Sequence, residues 1–150
     1  SAAAAAVAVG PAAGPAAAAA PVAEEKTEFT VVLTGAGANK INGNDGNDFI
    51  YGAGGNDNLT GGLGQDTFVY TAGSGADTIN DFDAWDVGGQ DFINVQTLGI
   101  NAGNFAARVA IIDTGADTVI RIDDAIFITL KNVSGDGDNV ITQSDFILGP

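Results

Sequence analysis

The chain has 150 residues, enough for one ordinary domain or a small domain with a tail. Its 19 acidic and 5 basic residues give a formal net charge of −14, which argues against nucleic acid and anionic membrane surfaces as partners. It contains no Cys, Met or His, so disulfides, thiolate or imidazole metal sites and nucleophiles that depend on Cys or His are excluded.

Residues 1–27 are interpreted as a flexible Ala/Pro-rich linker. Its first 23 residues are Ala, Val, Pro, Gly and one Ser, and Pro11, Pro15 and Pro21 interrupt the Ala runs, which disfavours a long helix. The start lacks the basic and strongly apolar regions of a secretory signal peptide, and no apolar run reaches membrane-spanning length, so no membrane span is expected. The β-branched residues of Glu28–Thr34 predict a strand.

A nine-residue period follows this strand. The blocks are TGAGANKIN, GNDGNDFIY, GAGGNDNLT, GGLGQDTFV and, after the two inserted residues Tyr70 and Thr71, AGSGADTIN. The fourth position is always Gly, the sixth is an Asn or Asp, and the eighth is always apolar. These positions are Gly37, Gly46, Gly55, Gly64 and Gly75, then Asn39, Asp48, Asp57, Asp66 and Asp77, then Ile41, Ile50, Leu59, Phe68 and Ile79.

Each nonapeptide is predicted to form a turn and a short strand. Glycines allow a positive φ in the turn, and the apolar eighth residue points inward from the strand. Two units complete one coil, so equivalent turns stack every 18 residues at about 4.8 Å and bring their carboxylates together. Such carboxylates repel one another by roughly 1–4 kcal/mol per pair. A Ca²⁺ ion, which accepts six to eight oxygen ligands in flexible geometry, would reverse that repulsion better than Mg²⁺.

The period resembles the calcium-binding nonapeptide of the repeats-in-toxin (RTX, hemolysin-type) family, which GGLGQDTFV matches at every position. The resemblance implies an all-β fold with a parallel β-roll over residues 28–80. It also implies ions held between turns two repeats apart. The earlier turn would provide carbonyls of positions one and three with its Asp, and the later turn carbonyls of positions two and four with its Asp.

Three calcium sites follow from this resemblance. The strongest comprises Gly43, Asp45 and Asp48 with Gly62, Gly64 and Asp66. A weaker or empty one comprises Thr34, Ala36 and Asn39 with Ala53, Gly55 and Asp57, because Asn39 replaces a carboxylate. The third comprises Gly52, Gly54 and Asp57 with Gly73, Gly75 and Asp77, and the insertion at Tyr70 and Thr71 alters its spacing.

Residues 81–150 are predicted to form an antiparallel, β-sandwich-like C-terminal unit. Its apolar segments are separated by Gly and Asp clusters; they are Phe82–Trp85, Asp91–Val95, Arg108–Ile112, Thr118–Ile122 and Ile126–Val133. Most acids of this half are interpreted as surface or turn residues, with accessory calcium ligands as the alternative; they include Asp81, Asp83, Asp86 and Asp91. A faint EF-hand-like pattern at Asp136, Asp138 and Asp145 is a further alternative.

The C-terminal half also resembles the region that follows the repeats in type I-secreted bacterial proteins. The segments that carry this likeness are residues 74–95 and 115–133 and the closing SDFIL of residues 144–148. The resemblance implies an uncleaved type I secretion signal, partnership with type I secretion machinery and a secreted or cell-surface location. Residues 1–40 separately resemble the hinge and first strand of the bacterial ribosomal stalk protein, without that family's factor-binding helices.

We therefore expect a calcium-binding module whose Ca²⁺-dependent folding supports stability and secretion of an extracellular bacterial protein, with no enzyme activity of its own. The alternative is a structural or adhesive surface-layer-type protein that uses Ca²⁺ for self-association. Paired Asp residues could in principle hydrolyse glycosides, but the acids follow the turn period better than a cleft arrangement.

Overall fold

The computed structural model describes residues 5–8, 29–84, 89–134 and 140–150. Across these residues the fold consists of two β-sheets with very little helix. The helical elements are α1 (Phe105–Arg108) and single 3₁₀ turns at Gln96–Leu98 and Gln143–Asp145. No helix in the described part of the chain is long and apolar enough to cross a bilayer.

The first sheet is parallel throughout. Its strands, in spatial order, are β1 (Ala5–Ala8), β2 (Phe29–Leu33), β4 (Asn47–Tyr51), β6 (Thr67–Val69), β8 (Phe92–Asn94) and β12 (Phe146–Ile147). The second sheet contains β3 (Lys40–Asn42), β5 (Asn58–Thr60), β7 (Ala76–Ile79), β11 (Ile126–Leu130), β10 (Thr118–Ile122) and β9 (Val109–Asp113). Consecutive strands from β2 to β8 alternate between the two sheets, so the chain winds as a parallel β-roll with two strands per coil.

The apolar eighth position of each repeat forms the core of the roll. Ile41, Ile50, Phe68 and Ile79 are completely buried and Leu59 is 1 % exposed. Most flanking residues of the same short strands are exposed or half-buried, as the period of two in a strand requires, although Thr67 is buried. Each such side chain contributes about 1.5–3 kcal/mol by leaving water. The predicted nonapeptide β-roll is thereby confirmed.

The antiparallel strands predicted in the C-terminal half are present, and they extend the roll. β9, β10 and β11 form an antiparallel meander, and β11 pairs in parallel with β7, from Phe127 opposite Ala76 to Leu130 opposite Ile79. On the other sheet β8 and β12 continue the parallel order beyond β6. One hydrophobic core therefore runs from the repeats into the C-terminal half, where it includes Ile93, Ile120 and Ile128.

The N-terminal segment departs in one place from its predicted flexibility. Ala5–Ala8 form β1, which pairs in parallel with Thr30–Leu33 and covers an edge of the first sheet that would otherwise expose unpaired backbone groups. Residues 1–4 and 9–28 lie outside the described residues, as do Trp85, Asp86, Asp136 and Asp138.

Candidate metal centre

Turns of successive coils stack so closely that their fourth position admits only glycine. A Cβ atom on Gly64 would lie 2.2 Å from the carbonyl oxygen of Gly46, and one on Gly75 would lie 2.0 Å from that of Gly55. The φ angles of Gly64 and Gly75 are 119° and 90°, which side chains other than glycine rarely adopt. The invariant fourth glycine thus sets the spacing between turns.

The sixth-position side chains form two columns, one on each row of turns. In the Asp48 column (Asp48, Asp66 and Asp91), the amide of Asp48 donates to Asp66 Oδ1 and the amide of Asp66 donates to Asp91 Oδ1, both at 2.9 Å. In the Asn39 column (Asn39, Asp57 and Asp77), the amide of Asn39 donates to Asp57 Oδ1 and the amide of Asp57 donates to Asp77 Oδ1, both at 2.8 Å. An amide of the preceding coil thus fixes each of four carboxylates, those of Asp57, Asp66, Asp77 and Asp91.

The second carboxylate oxygen of two column residues is buried without a hydrogen-bond partner. These atoms are Asp57 Oδ2 and Asp66 Oδ2. They occupy the space that a side chain on the first-position glycine would need, since a Cβ on Gly52 or Gly61 would lie 2.3 or 2.2 Å from them. A buried carboxylate oxygen without a donor is costly unless a cation approaches it.

The electrostatics of the columns also favour a cation. Burial raises the pKa of Asp66 to about 8, against the lowering effect of the Asp48 amide, and the nearby charges of Asp91, Asp48 and Asp81 raise it further. Burial likewise raises the pKa of Asp57 to about 6 and the pKa values of Asp77 and Asp91 to about 7. A positive charge between the turns would stabilise the ionised forms, so the residues fit a divalent cation.

Backbone carbonyls complete the oxygen-rich space between turns, and their directions are regular. The second-position carbonyl of Asn44 points to the following turn, where it accepts from the amide of Leu63 at 3.0 Å. The third-position carbonyl of Leu63 points back and accepts from Gly46 at 2.8 Å. The fourth-position carbonyl of Gly46 lies against Gly64, and the first-position carbonyl of Gly61 lies against Gly43.

These directions differ from those that the resemblance implied, in which carbonyls of positions one and three of the earlier turn meet those of positions two and four of the later turn. The predicted turn pairs do stack, as the bridge between Asp45 and Leu63 shows. However, carbonyls of positions two and four of the earlier turn face carbonyls of positions one and three of the later turn. For the space between Asp48 and Asp66 the contacts favour the carbonyls of Asn44, Gly46, Gly61 and Leu63, and the carbonyl ligands at Gly43, Asp45, Gly62 and Gly64 stay a prediction of the resemblance.

In the first site of the Asn39 column, the side-chain amide of Asn39 hydrogen-bonds to a backbone carbonyl of the same turn. Asn39 Nδ2 donates to the carbonyl of Gly35 at 2.6 Å, and the hydroxyl of Thr34 donates to the carbonyl of Gly52 at 2.8 Å. Side-chain donors thus engage oxygens in this pair of turns. Ala36, for which the resemblance implies a backbone carbonyl ligand, is exposed, and its role stays a prediction.

The insertion at Tyr70 and Thr71 leaves the next pair of turns in register. Asp77 accepts from Asp57 as Asp57 accepts from Asn39, although the spacing is 20 residues instead of 18. The extra residues are taken up before the turn, where the amide of Thr71 donates to the hydroxyl of Ser74 at 3.0 Å. The hydroxyl of Tyr70 is buried beside the carboxylate of Asp77.

Two residues of this region were missed by sequence reasoning. Asp91, interpreted as a surface acid, is 1 % exposed and ends the Asp48 column. Asp81 accepts from the amides of Gly61 and Gly62 at 2.9 and 2.8 Å. A signal for Asp91 was present, since Gly89-Gln90-Asp91 repeats Gly64-Gln65-Asp66.

Other acids do not form a carboxylate-rich centre. Across the described residues no group of three or more Asp, Glu, His or Cys side chains converges as a metal site, so any site between turns depends on two carboxylates and backbone carbonyls. Asp145, of the EF-hand-like alternative, instead caps a 3₁₀ turn, accepting from the amide of Thr142 at 2.7 Å and from Gln90 Nε2 at 2.7 Å. Asp83 is exposed.

Comparison with known proteins identifies the repeats. The model of the RTX calcium-binding nonapeptide repeat (4 copies) matches residues 33–68. The AlgE6R3 subunit of the Azotobacter vinelandii mannuronan C5-epimerase is similar in structure, with a TM-score of 0.58 and 27 % identity over 79 % of this chain and 72 % of that one. The AlgE6R2 subunit shares the fold, with a TM-score of 0.53 and 24 % identity over 81 % of this chain and 82 % of that one.

A second likeness covers a smaller part of the chain. Forty-two residues are 85 % identical to the large ribosomal subunit protein bL12 of Myxococcus xanthus, and 40 residues are 82 % identical to that of Rhizobium meliloti. These stretches are 28 % and 27 % of this chain and 30 % and 32 % of the relatives. The chain thus spans about a third of the length of the curated relatives it matches.

Proposed function

Because residues 33–68 belong to the RTX calcium-binding nonapeptide repeats and form a calcium-binding β-roll, we propose that the chain is a calcium-dependent folding module of an exported bacterial protein. The observation that carries this proposal is the pair of buried carboxylate columns with unpartnered oxygens at Asp57 and Asp66. Without a cation, the folded roll must bury these acids against one another or protonate them. Folding and cation binding are therefore coupled.

The proposed ligands follow the carbonyl directions. The strongest site uses carbonyls of Asn44 and Gly46 with Asp48, and carbonyls of Gly61 and Leu63 with Asp66. In the Asn39 column, the carboxylate of Asp57 serves sites on both sides, paired with Asn39 in one and with Asp77 in the other. A bound calcium ion supplies the positive charge that keeps these carboxylates ionised while buried.

Export is a proposal that rests on the coupling and on the C-terminal resemblance. In the folded chain the C-terminal strand β12 is paired with β8, and Phe146 is packed edge-on against Phe105 at 4.8 Å between ring centroids. A secretion signal in this position is covered once the roll has formed. We propose that low Ca²⁺ keeps it accessible before export and that extracellular Ca²⁺ then folds the chain.

Circular dichroism tests the proposed coupling. We expect β-sheet signal in millimolar Ca²⁺, loss of most of it in excess chelator, and recovery when Ca²⁺ is returned. Mg²⁺ at the same concentration should restore less, because it demands octahedral geometry and retains its water. An unchanged spectrum in chelator would reject calcium-dependent folding.

A second candidate function is calcium-dependent self-association, which one surface feature favours. The outer face of the first sheet carries a cavity of about 350 Å³ lined only by Val31, Leu33, Phe49, Tyr51 and Val69. Apolar surface of this kind is typical of association sites. Light scattering decides between the two functions: a monomer with and without Ca²⁺ favours the folding module, and reversible assembly with Ca²⁺ favours the structural role.

A further inference from the structure

Strand β9 forms one edge of the second sheet, and in the described part of the chain no strand pairs with its far side. It has five residues, and its one charged residue, Asp113, stands at the end. Ile111 and Ile112 are each 38 % exposed. The opposite edge strand of this sheet, β3, has three residues and begins with the exposed Lys40. Charge and shortness protect a sheet edge from pairing, so β9 is the edge of this sheet that is open to another strand.

The hydrogen-bond alternation of the ladder between β9 and β10 directs the backbone of Ile111 outward. At one end the amide of Asp123 donates to the carbonyl of Arg108, and at the other the amide of Thr114 donates to the carbonyl of Asp117. Every second residue of β9, counted from Arg108, therefore bonds to β10, because the two kinds of pair alternate in an antiparallel ladder. The amide and carbonyl of Ile111 point away from β10, and within the described residues neither has a partner.

The side chain of Ile111 ends a row of isoleucines. Ile111 lies opposite Ile120, and Ile120 lies opposite Ile128, so the three side chains share one face of the sheet. Ile120 and Ile128 are completely buried, whereas Ile111 is 38 % exposed at the edge of the described sheet. A strand added at this edge would extend the hydrophobic core by one row and bury Ile111.

A second copy of β9 is complementary to this edge. The antiparallel register that sets Ile111 opposite Ile111 of the second copy overlaps all five residues, and the outward amide of each Ile111 donates to the carbonyl of the other. Each Asp113 amide then reaches the carbonyl of Val109 in the other copy, whose own amide is used by the Phe105 carbonyl. The two Asp113 carboxylates stand at opposite ends of the contact, roughly 14 Å apart, which is beyond the Debye length at physiological salt.

We infer that the folded chain forms a two-fold dimer by antiparallel pairing of β9 with β9 of a second copy. The contact joins the second sheets of the two copies into one continuous sheet. Two-fold pairing closes at two copies, unlike association through the apolar face of the first sheet. One pair of five-residue strands buries less than the roughly 1,200 Å² of stable interfaces, so the dimer is reversible. The inference goes beyond the proposed folding module, and calcium enters it only by folding the roll.

Sedimentation velocity of the full chain in Ca²⁺ tests the dimer. The average mass should rise toward that of two copies with protein concentration, and association should tighten at higher salt because each copy has a net charge of −14. Ile111→Lys sets two like charges opposite each other and should weaken association by about tenfold or more. Phe127→Lys is the matched control, because it adds the same charge at a side chain that is 39 % exposed on the inner strand β11, and it should leave the dimer unchanged.

Amide hydrogen exchange tests the dimer without any substitution. The amides of Ile111 and Asp113 should become protected as the concentration rises, whereas the amide of Ile112, which faces β10, should not change. An unchanged chain that stays monomeric at millimolar concentration would overturn the dimer. So would a variant Ile111→Lys that circular dichroism shows to be folded and that still associates as the unchanged chain does.

The outcome for the dimer is separate from that for calcium-dependent folding. The chelator experiment decides the folding proposal whether or not β9 pairs with a second copy. Light scattering of the folded Ile111→Lys chain then reports calcium-dependent association through the first sheet, because the β9 edge is blocked in that chain.

Discussion

Individual residues decide which turns can hold an ion. Asp66 and Asn39 stand at the same repeat position, yet Asp66 Oδ2 has no donor while Asn39 directs its amide to the Gly35 carbonyl. The carboxylate oxygen of Asp66 therefore needs a cation, whereas the amide nitrogen of Asn39 hydrogen-bonds to a carbonyl that could otherwise be a calcium ligand. Strong and weak sites are distinguished at this scale.

Replacing Asn39 by Asp should strengthen the first site of its column. The change removes the donor to Gly35 and adds a carboxylate opposite Asp57, so Ca²⁺ affinity of this site should rise by about tenfold or more. Calorimetric titration measures this rise. Asn58→Asp, an exposed change on β5, is the control, and equal affinity in Asn39→Asp and the unchanged chain would contradict the site's geometry.

Ala53 carries backbone strain that glycine would remove. Its φ of 63° lies in the left-handed region, where the equivalent residues Asn44 and Gly62 are better suited. We expect Ala53→Gly to raise the free energy of unfolding by about 1 kcal/mol in Ca²⁺. Urea denaturation checks this value; Ala38→Gly, at a position without positive φ, should be neutral or destabilising.

The raised acid pKa values predict opposite pH effects without and with calcium. In chelator, folded Asp66 has a pKa of about 8 and binds its proton more tightly than in the unfolded chain. Its contribution to stability is therefore present below about pH 4 and is lost as the pH rises toward 8. Circular dichroism in excess chelator should therefore show more β-sheet signal at pH 5 than at pH 8.

Calcium binding should reverse this pH dependence. Ligand carboxylates must be deprotonated, so Ca²⁺ affinity should fall from pH 8 to pH 5 and binding should release protons. Calorimetry in buffers of different ionisation enthalpy detects that release. A β-sheet signal in chelator that increases with pH would show that the column acids are not buried as described.

At the scale of elements, the repeat period predicts more than the C-terminal half does. Local positions specify the turn, the inward apolar residue and the strand, so β3 to β7 follow from the period, and β2 follows from its β-branched residues. The parallel pairing of β11 with β7, and of β12 with β8, joins segments about 50 residues apart, and no local pattern encodes that register. Asp91 escaped prediction because an insertion changed its spacing from 18 to 25 residues. The directions of the backbone carbonyls between turns likewise cannot be predicted from the sequence alone.

The docking of β12 can be tested by its buried aromatic residue. Phe146 is 6 % exposed and packs against Phe105, so Phe146→Ala should lower the free energy of unfolding in Ca²⁺ by about 3 kcal/mol. Phe49→Ala removes the same group from a position that is 39 % exposed and should cost much less. Equal losses, measured by urea denaturation, would show that β12 does not close the core.

For the whole molecule, the hydrophobic core favours the folded state and the negative charge opposes it. A continuous core of apolar residues joins repeats and C-terminal strands, while a net charge of −14 and two columns of buried acids oppose compaction. Occupancy of one site at about ten times its dissociation constant adds roughly 1.4 kcal/mol. Two or three such sites amount to a sizeable part of a small domain's stability, so their occupancy is large enough to switch the entire fold.

The most direct measurement is an anomalous difference map from crystals grown in Ca²⁺, recorded at a long X-ray wavelength. We expect a calcium peak between the turns of residues 43–48 and 61–66, within coordination distance of carboxylate oxygens of both Asp48 and Asp66. A map without a peak there, with Asp66 Oδ2 hydrogen-bonded within the protein, would contradict it.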